Sequence, residues 1–359
     1  MINTLIVDDS QMVRDVLRDF LEAEGSFKII GEAADGEEGV QKILSMDPDL
    51  VTLDIEMPKM NGLEVIEEVM KKSNVPIVVI TSHDTAKTAY EATVRGALEF
   101  FPKDIFLKTL NPGKQQEIYD TLKRISGIKA QKSPEINWSE ALASKAVPSE
   151  PVLSKTPEKR KVEAVVIASS TGGPKALSRF FSLLPGNFPL PIIIVQHNSS
   201  GFDKCFAQWL DSFTPLNVKV ADEGEVPQTG TVYIAQTDKH LELRRNNSNQ
   251  LVMRYNDDDP EQNQKPAADV LFRTAAETLK ESLISVVFTG MGNDGGAGTQ
   301  KVKEMGGITL AQDEETSLIY GMPKAAAETG CLDIVLPLDK ISEELIQIVN
   351  QWVENPGIK

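Results

Sequence analysis

The sequence predicts an α/β protein built from two parallel-sheet domains, and three observations support this fold class. Short apolar runs alternate with amphipathic helical segments in two stretches of the chain, a polar, proline-rich segment divides those stretches, and 359 residues suffice for two domains. Strands that alternate with helices indicate a parallel sheet covered on both faces. We expect a five-stranded parallel sheet in residues 1–126, a flexible linker in 127–161, and a doubly wound, mostly parallel sheet with a β-hairpin in 162–355.

The first domain opens on a buried-strand pattern at Ile2–Val7, which apolar residues at helical spacing follow. Further strand-like runs occur at Leu50–Leu53, Ile77–Ile80 and Glu99–Phe101, and a helix from about Gln115 to Ile125 is expected to close the domain. The stretch after it, residues 127–161, contains seven Lys or Arg, four Asp or Glu and scattered prolines. That composition is typical of a flexible tether.

The second domain begins near Val162. Its strand-like runs are Ala164–Ala168, Ile192–Val195, Val232–Ala235, Ser285–Thr289 and Ile308–Ala311. The segment Leu241–Arg254 predicts a β-hairpin, because a polar turn, Asn246-Asn247-Ser248-Asn249, separates two apolar strands.

Composition argues against several classes of function. Asp and Glu number 53 against 37 Lys and Arg, a formal charge of −16, and such an acidic field repels nucleic acid. Two cysteines, Cys205 and Cys331, are too few for a disulfide scaffold or a Cys-rich zinc site. No apolar run approaches the ~20 residues of a membrane span. The first residues enter a strand pattern without a basic segment or cleavage site, so we expect a cytoplasmic protein.

Three carboxylates, a hydroxyl and a lysine follow strands of the first domain. Asp8 and Asp9 come directly after the first strand, Asp54 after a second, and Thr81 and Lys103 after two more. Because the carboxyl ends of parallel strands converge on one crevice, these groups are expected to meet there. Clustered carboxylates suit Mg²⁺, and with the hydroxyl and the ammonium they form a site for a phosphoryl group. Helix capping could explain one of these residues but does not explain all five.

A turn of small residues, Ser169-Ser170-Thr171-Gly172-Gly173-Pro174, follows the first strand of the second domain and precedes a helix. A phosphate-binding loop is one interpretation, but the sequence has neither the Gly-Lys-Ser/Thr ending nor the Gly-x-Gly-x-x-Gly pattern. Simple helix capping is another. The third is a nucleophilic serine at a helix N-terminus, which requires a histidine base.

The three histidines restrict the choice of base. His83 belongs to the first domain, and His240 enters the predicted hairpin. His197 directly follows a strand at the sheet end that also carries the serine turn, so it is the favoured base. Asp294, in a glycine-rich loop after another strand, is the favoured group to orient the imidazole, and Asp313 is a weaker competitor.

Residues 1 to about 125 resemble a response-regulator receiver domain. The resemblance rests on the Asp8-Asp9 pair and on the segment Asp54-Ile55-Glu56-Met57-Pro58-Lys59-Met60-Asn61-Gly62. It implies a flavodoxin-like fold in which Asp54 accepts a phosphoryl group with the help of Mg²⁺. The implied metal ligands are Asp8, Asp9, Asp54 and the backbone of Glu56, and the implied switch residues are Thr81, Phe100 and Lys103. A cis-proline turn is expected at the lysine, although here Pro102 precedes Lys103 where the family has the proline after it.

The whole chain resembles the chemotaxis response regulator protein-glutamate methylesterases, in which a linker joins a receiver to a Ser-His-Asp hydrolase domain. The matching segments are Ile167–Pro174, Gln196-His197, Thr289–Gly295 and Gly321-Met322-Pro323. A generic α/β-hydrolase is disfavoured, because its triad has a different chain order and its Gly-x-Ser-x-Gly elbow is absent here. Departures from the family pattern are Ser169 beside the nucleophile, the segment Asn198–Phe202 and the segment Gln264–Asp269.

This resemblance implies a triad of Ser170, His197 and Asp294, with oxyanion donors at the backbone of Thr171 and Met291. It implies hydrolysis of glutamate methyl esters, and deamidation of glutamines, on methyl-accepting chemotaxis receptors, with no cofactor for the ester chemistry. It also implies that a chemotaxis histidine kinase phosphorylates the receiver and so relieves inhibition of the catalytic cleft. We expect a monomer with no nucleic-acid partner and no direct membrane insertion. The alternatives are a catalytically impaired, phosphorylation-controlled adaptor and, less favoured, a DNA-binding regulator, for which no basic helix-turn-helix is visible.

Overall fold

The computed structural model describes residues 1–82, 86–107, 112–128 and 162–352. The chain divides into two compact units, Met1–Ile136 and Asn137–Lys359, and each is described by itself. Most of the predicted linker and His83 lie outside the described residues, so the domain boundaries stay predictions. Among the described helices, none is long and apolar enough to cross a membrane.

The first unit contains a five-stranded parallel sheet in the order β2-β1-β3-β4-β5. Its strands are β1 (Ile2–Val7), β2 (Phe27–Ala33), β3 (Leu50–Leu53), β4 (Ile77–Thr81) and β5 (Glu99–Pro102). Its helices are α1 (Gln11–Ala23), α2 (Gly36–Met46), α3 (Gly62–Met70), α4 (Ala86–Arg95), the single turn α5 (Asp104–Leu107) and α6 (Pro112–Ser126). The strand order reverses between β1 and β3, and such a reversal opens a ligand crevice at the carboxyl ends of the strands.

Local sequence fixes the loops around that crevice. All residues of β3 and β4 are buried, as expected for central strands that helices cover on both faces. The loop after β3 ends in a capping box, in which the Asn61 side chain accepts from the Glu64 backbone and the Glu64 side chain accepts from the Asn61 backbone. The start of α3, and with it the loop that follows Asp54, is therefore held by hydrogen bonds.

The second unit contains a seven-stranded sheet in the order β14-β13-β12-β6-β7-β9-β8, and every described pairing in it is parallel. Its strands are β6 (Ala164–Ser169), β7 (Ile192–Gln196), β8 (Asn217–Val220), β9 (Thr231–Ile234), β12 (Leu283–Val287), β13 (Ile308–Gln312) and β14 (Ile334–Leu336). A separate antiparallel hairpin consists of β10 (His240–Arg245) and β11 (Leu251–Asn256), as the sequence predicts.

The helices of this unit cover both faces of the sheet. They are α7 (Gly173–Ser182), α8 (Asp203–Asp211), α9 (Ala268–Leu279), α10 (Gly296–Glu304), α11 (Met322–Glu328) and α12 (Leu338–Trp352). Alternate β6 residues, such as Val166, share a buried cluster with Leu271 and Phe272 of α9. The central strand β6 lies between β7 and β12, so the residues that follow these three strands emerge side by side.

The α/β fold class with two parallel sheets is confirmed. Every run that the sequence analysis assigned to a strand is a strand, and the largest difference is at β12, which begins two residues earlier than the predicted Ser285. The helix predicted from about Gln115 to Ile125 is longer and spans Pro112–Ser126. Three strands, β2, β8 and β14, were not predicted individually.

Candidate functional site

The predicted acidic cluster of the first unit is assembled. Single carboxylate oxygens of Asp8, Asp9 and Asp54 lie within 4.8 Å of one another. Asp8 and Asp54 are buried, whereas Asp9 is exposed. Burial raises the pKa of Asp54 to about 6 against the pull of Lys103, and burial likewise raises the pKa of Asp8. Buried carboxylates this close favour a cation between them, and three hard oxygen donors fit Mg²⁺.

Lys103 is the positive partner of this cluster. Its Nζ lies 2.7 Å from Oδ2 of Asp54 and 2.9 Å from Oδ2 of Asp8. Partial burial by itself would lower the pKa of Lys103, but the bonds to both carboxylates raise it further than burial lowers it. The lysine therefore stays charged and balances part of the buried negative charge.

The expected cis-proline turn at Lys103 is wrong. Among the described residues the one cis peptide bond joins Lys265 to Pro266. Pro102 instead ends β5 opposite Thr81, and the backbone N–H of Lys103 donates to the Thr81 carbonyl at 2.7 Å. Because a proline at the end of an edge strand needs no N–H for the ladder, the strand can continue through Pro102 and still bring Lys103 to the carboxylates.

The other predicted switch residues, Thr81 and Phe100, are buried at the end of β4 and within β5. Thr81 is fully buried at the end of β4. Phe100 is buried and packs edge-to-face on Tyr90 of α4, with ring centroids 4.9 Å apart. Tyr90, which is also fully buried, was not singled out in the sequence, because an aromatic residue at helical spacing is an ordinary core residue. The side chain of Glu56 is exposed, so only its backbone could take part in the site.

In the second unit, Ser170 begins the turn that joins β6 to α7. Its backbone N–H donates to the Thr289 carbonyl at 3.1 Å, and its own carbonyl accepts from Gly173 at 2.7 Å. Gly172 has φ = 78°, and a Cβ at this position would lie 2.7 Å from Cβ of Leu318. Both the backbone conformation and the lack of space therefore require glycine. The turn delivers Ser170 partly exposed at the N-terminal end of α7.

The two adjacent serines have different surroundings. Ser169 is the last residue of β6, is fully buried, and donates its hydroxyl to Oε1 of Gln196 at 2.7 Å. Ser170 is partly exposed. A nucleophile must reach a substrate, so this difference favours Ser170.

His197 follows β7 and faces the loop after β12. Its Nε2 lies 2.8 Å from Oδ2 of Asp294, and its side chain is only 8% exposed. Its Nδ1 is buried and has no hydrogen-bond partner among the described residues. A carboxylate can only accept, so Nε2 carries the proton of the neutral ring and Nδ1 is the acceptor nitrogen.

Asp294 lies in the loop after β12, and its ionised carboxylate is bound by backbone N–H groups at the start of α9. Its Oδ2 also accepts from the backbone of Ala268 at 2.7 Å, and its Oδ1 accepts from Asp269 at 2.8 Å and from Gly295 at 3.0 Å. Burial alone would raise the pKa of Asp294, but the hydrogen bonds from His197 and from these backbone groups lower it below its ordinary value. The sequence pattern did not indicate the α9 contribution, because backbone donors carry no residue signature.

The competing residues are engaged elsewhere. His240 is buried, its Nδ1 accepts from the Ala267 backbone at 3.1 Å, and its Nε2 donates to the Asp259 carbonyl at 3.1 Å. Asp313 accepts from the backbone and hydroxyl of Thr316 in its own turn. Neither residue is bonded to the His197–Asp294 pair.

The loop after β12 passes directly against the serine turn. A Cβ on Gly290 would lie 2.8 Å from Cβ of Ser170, so only glycine permits this approach. Met291 follows Gly290 in the same loop. Thr171 is buried, and its carbonyl accepts from the Thr289 hydroxyl at 3.0 Å. Thr171 and Met291, the predicted oxyanion donors, thus belong to two segments that meet at Ser170.

Known proteins share this organisation. Residues 165–345 match the family model of the CheB methylesterase, and residues 4–111 match that of the response regulator receiver domain. The chain is 38% identical to a protein-glutamate methylesterase/protein-glutamine glutaminase of Pyrococcus abyssi, over 97% of this chain and 94% of the relative. It is 37% identical to the protein of the same name from Thermotoga maritima, over 97% and 98%. The solved Thermotoga maritima CheB methylesterase catalytic domain is 45% identical, with a TM-score of 0.52, and covers 53% of this chain and 100% of that one.

Proposed function

This chain belongs to the CheB methylesterase family and carries a response regulator receiver domain, and from that premise we propose that Ser170, His197 and Asp294 are its catalytic triad. Its activity is that of a protein-glutamate methylesterase and protein-glutamine glutaminase in chemotaxis. The observation that supports the triad most strongly is the buried His197–Asp294 pair, with Nε2 and Oδ2 2.8 Å apart beside the serine turn.

The proposed reaction is acyl transfer through Ser170. Nδ1 of His197 removes the hydroxyl proton while Oγ attacks the carbonyl carbon of the glutamyl methyl ester. The tetrahedral intermediate collapses, the C–OCH₃ bond breaks, and the imidazolium returns its proton to the departing methanol. Water, deprotonated by His197, then hydrolyses the acyl-enzyme to free glutamate and Ser170. With a glutamine substrate the same steps release ammonia. Asp294 stays ionised and stabilises the imidazolium.

The oxyanion of the tetrahedral intermediate is stabilised by backbone donors. We assign this role to the N–H groups of Thr171 and Met291, which lie in the two segments that converge on Ser170. The N-terminal end of α7 adds the favourable field of the helix dipole. The ester chemistry needs no metal or cofactor in this proposal, since the charge that develops is held by protein donors.

In the receiver, Asp54 is the proposed phosphoacceptor. Asp8, Asp9, Asp54 and the backbone carbonyl of Glu56 would hold Mg²⁺, which supplies positive charge against the phosphoryl oxygens when bound. Lys103, already bonded to Asp54, provides a second positive charge that remains with the protein. The proposed phosphodonor is a chemotaxis histidine kinase, and Thr81 and Phe100 respond to the phosphoryl group.

We propose that phosphorylation of Asp54 raises esterase activity towards methyl-accepting chemotaxis receptors, and that the protein acts as a cytoplasmic monomer. Deleting residues 1–126 is expected to increase methanol release from methylated receptor, because the unphosphorylated receiver restrains the catalytic unit. Equal activity with and without the receiver would contradict this regulation. The paired His197–Asp294 geometry argues against a catalytically impaired adaptor.

The decisive experiment replaces the nucleophile. Ser170→Ala in the full chain should reduce methanol release from methylated receptor at least about a thousandfold, because the acyl-enzyme cannot form. The matched control is Ser178→Ala, which removes the hydroxyl of a buried serine on α7 that donates to the Lys175 carbonyl of the same helix. Survival of activity in Ser170→Ala together with its loss in Ser169→Ala would show that the wrong serine has been assigned.

A further inference from the structure

Gln196 lies between the nucleophile and the base of the proposed triad. It is the last residue of β7 and is only 2% exposed. Its Nε2 donates to the Ser170 carbonyl at 3.0 Å and to the His197 carbonyl at 2.9 Å. One side-chain amide therefore binds the backbone of both residues.

The orientation of this amide is fixed by chemistry. Two carbonyl oxygens face one end of the side chain, and only the NH₂ group can donate to them. Oε1 must then point the other way, where it accepts from the Ser169 hydroxyl at 2.7 Å. A Cβ on Gly173 would lie 2.1 Å from this oxygen, so the start of α7 leaves just enough room for it. Both N–H groups of the Gln196 amide therefore donate a hydrogen bond, and the side chain is buried.

The Gln196 amide forms hydrogen bonds just beyond the end of the backbone ladder between β6 and β7. In the parallel ladder between β6 and β7, the last paired residues are Ser169 and Gln196. One backbone bond, from His197 N–H to the Ser169 carbonyl at 3.0 Å, follows that pair. Beyond it, the Gln196 side chain is the one group among the described residues that bonds the carbonyls of both Ser170 and His197. The Gln196 side chain thus extends the hydrogen bonding between the two strands by one residue, to Ser170 and His197. The relative position of these two residues decides proton transfer in the proposed triad.

We propose that Gln196 is a positioning residue that fixes the Ser170 backbone relative to the His197 backbone, and that the Ser169 hydroxyl holds the Gln196 amide in the required orientation. This inference rests on the proposed function, since it assigns Ser170 and His197 as nucleophile and base. The side chain touches neither substrate nor the reacting atoms in this proposal. Its effect should appear in the chemical step and not in substrate binding.

The first test measures methanol release by the full chain. Gln196→Met has a side chain of similar length but no donor, and it should lower kcat about 100-fold with KM within twofold, because a misplacement of about 1 Å can cost that factor. Ser169→Ala should lower kcat about threefold alone and have no further effect in the Gln196→Met background, because both variants interrupt the same connection. A Gln196→Met kcat within threefold of wild type, or independent, multiplying effects of the two variants, would overturn the proposal.

A matched control separates positioning from stability. Ser342→Ala removes another buried serine hydroxyl, which donates to the Phe180 carbonyl at 3.0 Å between α12 and α7. It should lower the melting temperature about as much as Ser169→Ala and leave kcat unchanged. A fall in kcat for Ser342→Ala as large as that for Ser169→Ala would assign the effect to general loss of stability and reject the positioning role.

A second readout does not depend on turnover. In the full chain carrying Ser170→Ala, solvent exchange of the Gln196 side-chain N–H groups, followed by NMR, should be slow, and adding Ser169→Ala should accelerate it at least tenfold. Exchange as fast as in exposed glutamines would overturn the positioning role and leave the proposed function intact. Slow exchange in a wild-type chain that hydrolyses no ester would instead count against the proposed function alone.

Discussion

Nε2 of His197 lies 2.8 Å from Oδ2 of Asp294, so in the proposed triad Nδ1, which has no hydrogen-bond partner among the described residues, is the nitrogen that serves Ser170. In chymotrypsin-type proteases the two ring nitrogens have the opposite assignments, with Nδ1 on the carboxylate and Nε2 on the serine. The imidazole can act as the base through either ring nitrogen. The carboxylate determines which one, because it fixes the tautomer of the ring. Here the carboxylate is itself oriented by the backbone N–H groups of Ala268, Asp269 and Gly295.

The first prediction concerns that carboxylate. Asp294→Asn places an amide against Nε2 and can stabilise the wrong tautomer, so kcat for methanol release should fall by about 10³-fold or more. The matched control is Asp313→Asn, which changes the carboxylate after the neighbouring strand and should leave kcat within twofold. An Asp294→Asn chain that keeps more than a tenth of wild-type kcat would contradict the role of Asp294.

The second prediction contrasts the two described histidines. His240→Ala leaves the buried Ala267 N–H without a partner and opens a cavity, so the free energy of unfolding should fall by about 2–4 kcal/mol. His197→Ala should abolish methanol release with a smaller loss of stability. Urea denaturation and activity assays on both variants check this. The assignment of His197 as base fails if the two variants exchange these phenotypes.

The sequence predicts the central strands better than the edges of the sheets. β3 and β6 are fully buried and almost entirely apolar because both their faces are covered, and such runs are visible in a single sequence. The unpredicted β2, β8 and β14 are only partly buried, and β14 has three residues. Their strand conformation depends on pairing with a neighbour, which local composition does not encode.

In the candidate sites as well, some residues could be predicted from the sequence and others could not. Asp8 and Asp54 each directly follow a buried strand of the first sheet, and Ser170 and His197 follow neighbouring strands of the second sheet, so strand order brings the members of each pair to one sheet edge. The supporting contacts of Gln196 were not predicted, although its place beside His197 in a matching segment was the available signal. An amide that bridges two carbonyls depends on the exact separation of two strand ends, and that distance is a property of the folded chain.

The third prediction is a pH dependence of stability. Burial, followed by the nearby Asp294 charge, raises the pKa of Asp269 to about 6 from 3.8. The folded chain then holds a proton that the unfolded chain has released, so the stability from this group is complete below about pH 4 and is lost as the pH rises through about 6. This loss amounts to ~3 kcal/mol at most, since one pKa unit corresponds to about 1.4 kcal/mol.

The comparison that checks it is urea denaturation at pH 4.5 and 7.5. Wild type should lose stability relative to Asp269→Asn between these values, because the variant has no carboxyl to ionise there. Asp257→Asn, a change at an exposed carboxylate, should follow wild type at both pH values. A constant difference between wild type and Asp269→Asn would mean that Asp269 ionises as an ordinary aspartate.

The last prediction separates regulation from catalysis. Lys103 bonds both Asp8 and Asp54, so Lys103→Ala leaves the buried carboxylates, and a phosphoryl group added to Asp54, without that positive charge. With acetyl phosphate and Mg²⁺ present, methanol release by wild type should rise severalfold. Methanol release should stay at the basal rate in Asp54→Asn. In Lys103→Ala its increase should be less than a quarter of the wild-type increase. Basal rates should be equal in all three proteins, because Asp54 and Lys103 lie in the receiver and the proposed triad lies in the other unit.

Lys59→Ala is the matched control for this prediction. Lys59 is an exposed lysine of the same receiver, paired with Asp35 at 2.6 Å and not with Asp54, the proposed phosphoacceptor. Removing it deletes one positive charge from the receiver without touching the carboxylate cluster, so stimulation should match wild type. If Lys59→Ala lost stimulation as completely as Lys103→Ala, net receiver charge would be the cause. If acetyl phosphate stimulated Lys103→Ala as fully as wild type, Lys103 would not be needed for activation, and its contact with Asp54 would matter only in the unphosphorylated state.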